Sequence, residues 1–406
     1  MHALKDYESV VGAEIVEELR LLSEKTKGLK VQNVNSTAVG GGVAEILNRM
    51  VPLLRELEVD ARWDVIKGGE KFFKVTKKFH NALHGKAEEI GPNDFSVFLE
   101  TSEMNNRSLE LAGDILVIHD PQPIALIQQK NKLNAKWIWR CHIDVSQPDE
   151  RVWNFLRPFM DRYDGSVFSA PSFSQELPIR QFLISPSIDP LSDKNKELSE
   201  ETVRGILEKF QIDPEKPLVT QVSRFDYLKD PLGVIEAFER VQKNVDCQLV
   251  LVGGEASDDP ESVEVLARVR ERAAGNPDVH VLAIPSGSDL EINALQRGST
   301  VIVQKSIREG FGLTVTEALW KAKPVVASAV GGITLQISHK YSGLLCRSVE
   351  GAAYAIKQVL QNPEYGKRLG ENGREQVRQN FLLTRHLRDY LLLFLALSHE
   401  GDIVRF

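Results

Sequence analysis

Ser306-Ile307-Arg308-Glu309-Gly310-Phe311-Gly312-Leu313-Thr314-Val315-Thr316-Glu317 sets two carboxylates eight positions apart around a glycine-punctuated turn. Glu309 falls in the turn and Glu317 in the opening of a following helix, so the two need not share a face and suit different parts of one long ligand. Gly310 and Gly312 let a backbone approach that ligand closely, and a helix starting near Thr314 offers unpaired N–H groups to phosphate oxygens. A nucleotide joined to a sugar has the required length and charge. A plainer reading of the same residues stays open. Thr314-Val315-Thr316-Glu317 fits a capping box, in which the glutamate returns to the N-cap amide and meets no ligand, and Glu309 is then a solvated loop carboxylate.

A second candidate follows the apolar run 218–222, where Ser223-Arg224-Phe225-Asp226-Tyr227-Leu228-Lys229 brings two basic side chains to a strand end. The planar fork of Arg224 and the point charge of Lys229 together suit a departing diphosphate; alternatively they are a solvated pair at a helix start. In the first half, Val39-Gly40-Gly41-Gly42-Val43 forms a triple-glycine turn into a helix, able to admit a phosphate or a sugar. Its spacing is not G-x-G-x-x-G, so no nicotinamide cofactor is expected. Two further polar clusters follow strands: His119-Asp120-Pro121-Gln122-Pro123 and Cys141-His142-Ile143-Asp144. Each histidine has an alternative as a satisfied structural residue, and Asp120 before Pro121 as turn chemistry.

The elements that must position these groups read as alternating strands and helices, the rhythm of a parallel sheet covered on both faces. Strands are expected at 29–34, 61–66, 115–118, 136–140, 166–169 and 181–183, with helices at 43–57 and 152–162. The pattern restarts with strands at 218–223, 248–252, 279–283, 300–304, 324–327 and 343–346. Between the two halves, 185–195 has the proline and small polar residues of a linker. A chain of 406 residues exceeds what one core usually serves, so two domains facing a cleft are expected, 1–185 and 186–385, with 386–406 packing on the first. Ligands of such sheets bind beyond the carboxyl ends of the strands, where all of these candidates fall.

A net charge of −7 with dispersed basic residues argues against nucleic acid or an anionic membrane as partner, and for small-molecule ligands. Cys141, Cys247 and Cys346 are odd in number and far apart, as in a reducing cytoplasm. No His, Cys and carboxylate spacing resembles a zinc site, so no metal is expected. The charged start, Met1-His2-Ala3-Leu4-Lys5-Asp6, is unlike a signal peptide, and the apolar run 390–397 is too short to span a bilayer. A cytoplasmic protein is expected, with a homodimer left open.

Taken together these motifs resemble the retaining GT-B glycosyltransferases of family 4, across both halves of the chain. Glu309 and Glu317 match the family's E-x7-E element, Arg224 and Lys229 its diphosphate-contacting pair, and Gly40, Gly41 and Gly42 its first-domain glycine loop. Within the family the chain is most similar to the glycosyl-transferring trehalose synthases, through 119–123, 137–144 and 186–195. The resemblance implies α/β architecture with two Rossmann-like doubly wound domains. It also implies transfer of glucose from UDP-, ADP- or GDP-glucose to free glucose, with retention and without a metal or other cofactor. Arg224, Lys229, Glu309 and His142 would then serve the reaction, the last two at the donor sugar. Gly40–Gly42, Gly310, Phe311, Gly312, Leu313 and Glu317 would hold the donor, with Glu317 on the ribose. Asp120, Gln122 and Asp144 would hold the acceptor. Retaining trehalose phosphorylases share much of this pattern, and a non-catalytic nucleotide-sugar sensor is the reading from another class. Two departures from relatives stand out: Asp230 after Lys229, where glycine is common, and Lys305 before Ser306, where some carry an apolar residue.

Overall fold

The computed structural model describes residues 2–38, 42–254 and 260–399. The chain forms two compact units, one of Met1–Ser187 with Leu383–Phe406 and one of Ile188–Leu382.

In the first unit β1 (Lys30–Asn35), β2 (Asp60–Val65), β3 (Ile115–His119), β4 (Lys136–Arg140), β5 (Gly165–Phe168) and β6 (Arg180–Leu183) form one sheet. The order is β2-β1-β3-β4-β5-β6 and every pairing is parallel. The strands beside the centre are apolar in near-continuous runs because helices cover both faces; Trp137, Ile138 and Trp139 have no exposed surface at all. Gly42–Glu56 supplies one such helix, burying Ala44, Leu47, Met50, Val51 and Leu54 at the three-and-four spacing of one helical face. The last helix, Leu383–Ser398, belongs to this unit, as its apolar stripe suggests. Arg385 at its start donates to the carbonyls of Ser185 and Pro186 at 2.8 and 3.0 Å.

The second unit repeats the plan with β7 (Leu218–Val222), β8 (Gln248–Gly254), β9 (Val279–Ile284), β10 (Val301–Gln304), β11 (Val325–Ser328) and β12 (Leu344–Cys346). The order β12-β11-β10-β7-β8-β9, again all parallel, is doubly wound and reverses direction between β7 and β10. Alternate residues of β8 show both faces in use. Leu249 and Leu251 pack with Val234 and Phe238 on one side, while Val250 and Val252 pack with Leu207 and Leu295 on the other.

The connecting stretch differs from expectation. Asp189, Ser192 and Asn195 are buried, and the Asp189 carbonyl accepts from Ser192 Oγ at 2.8 Å and Asn195 Nδ2 at 3.0 Å. Proline and small polar residues here build a tied-down turn rather than a solvated linker, because its side chains satisfy its own backbone.

Candidate functional site

In an open α/β sheet the crevice for ligands lies where strand order reverses. In the second unit that point lies between β7 and β10, and the two loops leaving these strands carry Arg224, Lys229 and Glu309. Ile307 N–H donates to the Leu228 carbonyl at 2.8 Å and ties the loops together. Lys229 Nζ donates to both oxygens of Glu309, at 2.8 and 2.7 Å. Ser306 Oγ adds a third donor to Glu309 at 3.0 Å. Glu309 is buried and its charge is matched by an ammonium, so the plain reading as a solvated loop carboxylate does not hold. Arg224 instead stays 70% exposed, with Asp226 Oδ2 at 3.0 Å. The two basic groups therefore share a strand end while keeping different partners.

The helix after the turn runs from Leu313 to Trp320, with Gly312 as N-cap at φ 84° and no side-chain cap. Thr314 lies inside the helix and Glu317 beyond its first turn, so the capping-box reading fails for want of the N-cap position. A Cβ at Gly312 would be strained at this positive φ and would lie 3.1 Å from Glu309 Cγ. Among the described residues no protein acceptor takes the N–H of Gly310, Phe311 or Gly312, which leaves three donors at a helix N-terminus for an anion. Phe311 is buried against Phe381, ring centroids 5.5 Å apart, and Leu313 begins the helix.

Glu317 is buried at the wall of a cavity of about 230 Å³. Lys194, Ser223, Arg224, Gly253, Asp289 and Thr314 share that wall. The cavity stretches from the strand end that carries Arg224 to the helix that carries Glu317, and Lys194 Nζ stands 3.9 Å from Glu317 Oε1. Sequence reasoning missed Lys194 as a site residue by reading its segment as a connector; the signal available was that Lys194 lies in the 186–195 stretch that carries the resemblance.

The two sequence departures meet each other. Asp230 adopts φ 47°, ψ 51°, the left-handed conformation that glycine takes without strain. Its carboxylate caps the next helix by accepting from Gly233 N–H at 3.1 Å, and Lys305 Nζ is paired with its other oxygen. Lys305 thus neutralises the group that stands in place of the glycine.

In the first unit strand order reverses between β1 and β3, and Asn33, His119 and His142 form a chain across it. Asn33 Oδ1 accepts from His119 Nε2 at 3.0 Å, so His119 Nδ1 accepts from His142 Nε2 at 3.1 Å. His142 Nδ1 is left as an acceptor with no protein donor among the described residues. Burial and the nearby Arg140 hold His119 down to about 3 and push His142 well below the usual range, so both rings are neutral. Asp120 has φ 65°, a left-handed conformation uncommon for a non-glycine residue, and accepts from His142 N–H at 2.8 Å. Burial raises its carboxyl to about 6. Gln122 Oε1 is buried without a partner, as a group awaiting a donor would be. Asp144 is buried and accepts from Ser146 N–H at 3.0 Å, which gives it a turn-forming contact of its own. Gly42 opens the helix Gly42–Glu56, whereas Gly40 and Gly41 lie outside the described residues. Asn33 and Arg140 escaped sequence reasoning, since an asparagine and an arginine inside apolar strands carry no spacing signal.

Residues 33–175 match the family described as trehalose synthase, N-terminal domain, and residues 204–376 match the glycosyl transferases group 1. The chain is 45% identical to the trehalose synthase of Pyrococcus horikoshii, over 96% of this chain and 95% of that protein. It is 43% identical to the trehalose synthase of Rubrobacter xylanophilus, over 97% of each. Among solved structures, sucrose-phosphate synthase from Thermosynechococcus elongatus superposes with a TM-score of 0.72 at 18% identity, covering 91% of this chain and 99% of that one. That likeness concerns the fold.

Proposed function

The chain belongs to the trehalose synthase family of GT-B glycosyltransferases, and from that premise we propose that it transfers glucose from a nucleoside-diphosphate glucose to free glucose. The product would be the α,α-1,1 disaccharide trehalose, with the anomeric configuration retained.

The observation that carries the donor assignment is the cavity bounded by Arg224 at one end and Glu317 at the other. A buried carboxylate is a bidentate acceptor for the two hydroxyls of a ribose, and the strand end beside Arg224 suits the diphosphate. Glu309, with its oxygens oriented by Lys229 and Ser306, would accept from hydroxyls of the donor sugar. Lys229 Nζ gives two of its three protons to Glu309, and the third is available to a phosphate oxygen.

As the bond from the anomeric carbon to the phosphate oxygen breaks, negative charge gathers on the diphosphate. Arg224, Lys229 and the free N–H groups of Gly310, Phe311 and Gly312 would stabilise it there. No cofactor is needed for that step. The departing phosphate would take the acceptor hydroxyl's proton on the same face of the sugar, giving retention without an enzyme nucleophile. His142, neutral and with Nδ1 free to accept, would orient a donor-sugar hydroxyl, and Asp120, Gln122 and Asp144 would receive the acceptor glucose.

Incubating the purified protein with UDP-, ADP- or GDP-glucose and free glucose, then identifying the products, tests the reading. Trehalose and a nucleoside diphosphate are expected. Glucose 1-phosphate from trehalose and orthophosphate would reassign it as a phosphorylase. Donor binding with no turnover across an acceptor panel would make it a sensor.

A further inference from the structure

A second cavity of the second unit, about 440 Å³, is distinct from the one that holds Glu317. Arg297, Lys321 and Lys323 line it, together with apolar Leu198, Val203 and Leu207. Arg297 is fully engaged, donating to Asn293 Oδ1 at 3.0 Å and to the carbonyls of Asn195 and Lys196 at 3.2 and 3.0 Å, and pairing with Glu197 at 2.6 Å. The lysines are not. Lys321 Nζ gives two protons, to Asn195 Oδ1 at 3.0 Å and to the Glu317 carbonyl at 3.2 Å, and retains a third. Lys323 Nζ has no hydrogen-bond or ion-pair partner among the described residues.

The backbone between the lysines is unusual. Ala322 sits at φ 55°, left-handed without being glycine, and its carbonyl would lie 1.9 Å from a Cβ at Gly370. The helix Pro363–Asn380 is therefore packed tightly on the turn that turns both lysines toward one cavity. Lys321 and Lys323 each keep a donor to spare and neither is in an ion pair among the described residues, a costly arrangement for an empty wall. Glu200, Glu201 and Glu215 line the same cavity; the first two are exposed, and Glu215 is paired with Arg204 at 2.9 Å. Lysine donors and carboxylate acceptors in one lining suit a ligand that carries both a phosphoryl group and hydroxyls.

We propose that this cavity binds a phosphoryl dianion, free or as a sugar phosphate ester, and that its occupancy is transmitted to the donor cavity through Lys321. The wire is short: the ammonium that would meet the anion already holds the Glu317 carbonyl and Asn195, which adjoins Lys194 at the donor wall. An anion that draws Lys321 Nζ toward itself loosens or shifts those bonds and changes donor affinity.

Titration calorimetry of the full-length protein with glucose 6-phosphate and with orthophosphate tests the site. Saturable binding is expected, weakened roughly ten-fold or more by Lys323→Ala and unaffected by Arg224→Ala. Tighter binding of the ester identifies a sugar phosphate as the ligand, and equal binding identifies free phosphate. Burial lowers Lys323 to about 8 and Lys321 to about 7, so binding near pH 8 should take up protons, read as a heat that varies with buffer ionisation enthalpy. If Lys323→Ala is poorly folded, acylation of the wild-type protein followed by mass spectrometry replaces it, with Lys323 expected to be labelled and to be shielded by the anion. Absence of saturable binding, unchanged binding in Lys323→Ala, or loss in Arg224→Ala alone would overturn the proposal. The apparent donor KM should shift with the anion in the wild type and not in Lys323→Ala; no shift would overturn the transmission. None of the binding readouts requires glycosyl transfer, so they stand or fall apart from the function proposed above.

Discussion

One ammonium, Lys229 Nζ, donates to both oxygens of Glu309 across 80 residues of sequence, and this pair joins the loops that leave β7 and β10. The two residues therefore act as a unit. On the function proposed above, Lys229→Ala would remove a charge from the departing diphosphate and leave Glu309 buried without its cation, and turnover is expected to fall by ~100-fold or more. Glu309→Gln should lower turnover as well, and the double variant should be far less than additive in the logarithm of kcat. Strict additivity would show that the pair has no joint role.

Glu317 makes a different expectation. Replacing it with glutamine keeps its volume and removes its charge, so donor affinity should fall by roughly ten-fold or more, measured by calorimetry with the nucleoside diphosphate alone. Arg224→Ala, at a largely exposed position, should leave the melting temperature unchanged and lower kcat. A Glu317→Gln protein with lower thermal stability and unchanged affinity would return the residue to a structural role.

The histidines define a pH dependence. His119, His142 and His386 all lie below the usual value of 6.5, with burial the largest cause, so the unfolded chain binds more protons than the folded one below that pH. Their contribution is present above 6.5 and is lost as the pH falls toward the folded values, reaching about 3 for His119. Asp120 acts in the opposite sense, since its carboxyl rises from 3.8 to about 6, but one group is set against three. The melting temperature should therefore drop between about pH 6.5 and pH 5, with a shallower slope in His142→Asn. Because His142 stays neutral, any acidic limb of kcat near pH 6 should belong to Asp120 and persist in His142→Asn. An acidic limb at that pH which vanishes in His142→Asn would contradict its role as a neutral hydrogen-bond acceptor.

Asp230 and Lys305 should be energetically coupled. Lys305→Met alone leaves a partly buried carboxylate unpaired and should destabilise the fold, whereas the same change in an Asp230→Gly background should be nearly silent. A double-mutant cycle by denaturant unfolding should give a coupling of about 1–3 kcal/mol. Independent effects would mean that the lysine does not serve the aspartate.

The twelve strands of the described residues were legible in the sequence, most of them because runs such as 115–118 and 249–252 are apolar on both faces and buried, although Arg180–Leu183 is largely exposed. Glu309 and Lys229 were legible as residues but not as partners, since 80 residues separate them and only the strand order brings their loops together. Asn33 and Arg140 gave no sign, lying among apolar neighbours whose pattern they interrupt without a motif. Gly331 was overlooked for another reason. A Cβ there would lie 1.8 Å from the Glu309 carbonyl, a tertiary clash that no local pattern announces. The segment at 185–195 misled because turn chemistry looks the same in a solvated connector and in a packed wall.

That packed wall bears on how the two halves can be recombined. Ile188 N–H is held by the Phe381 carbonyl at 2.9 Å, and Asn195 and Lys194 stand at Lys321 and Glu317. A chimera that grafts a foreign N-terminal half must place its junction at or before Ile188. A splice at 196 would import the neighbour's sequence into the wall of the cavity beside Glu317, and on the function proposed above would change donor choice as well.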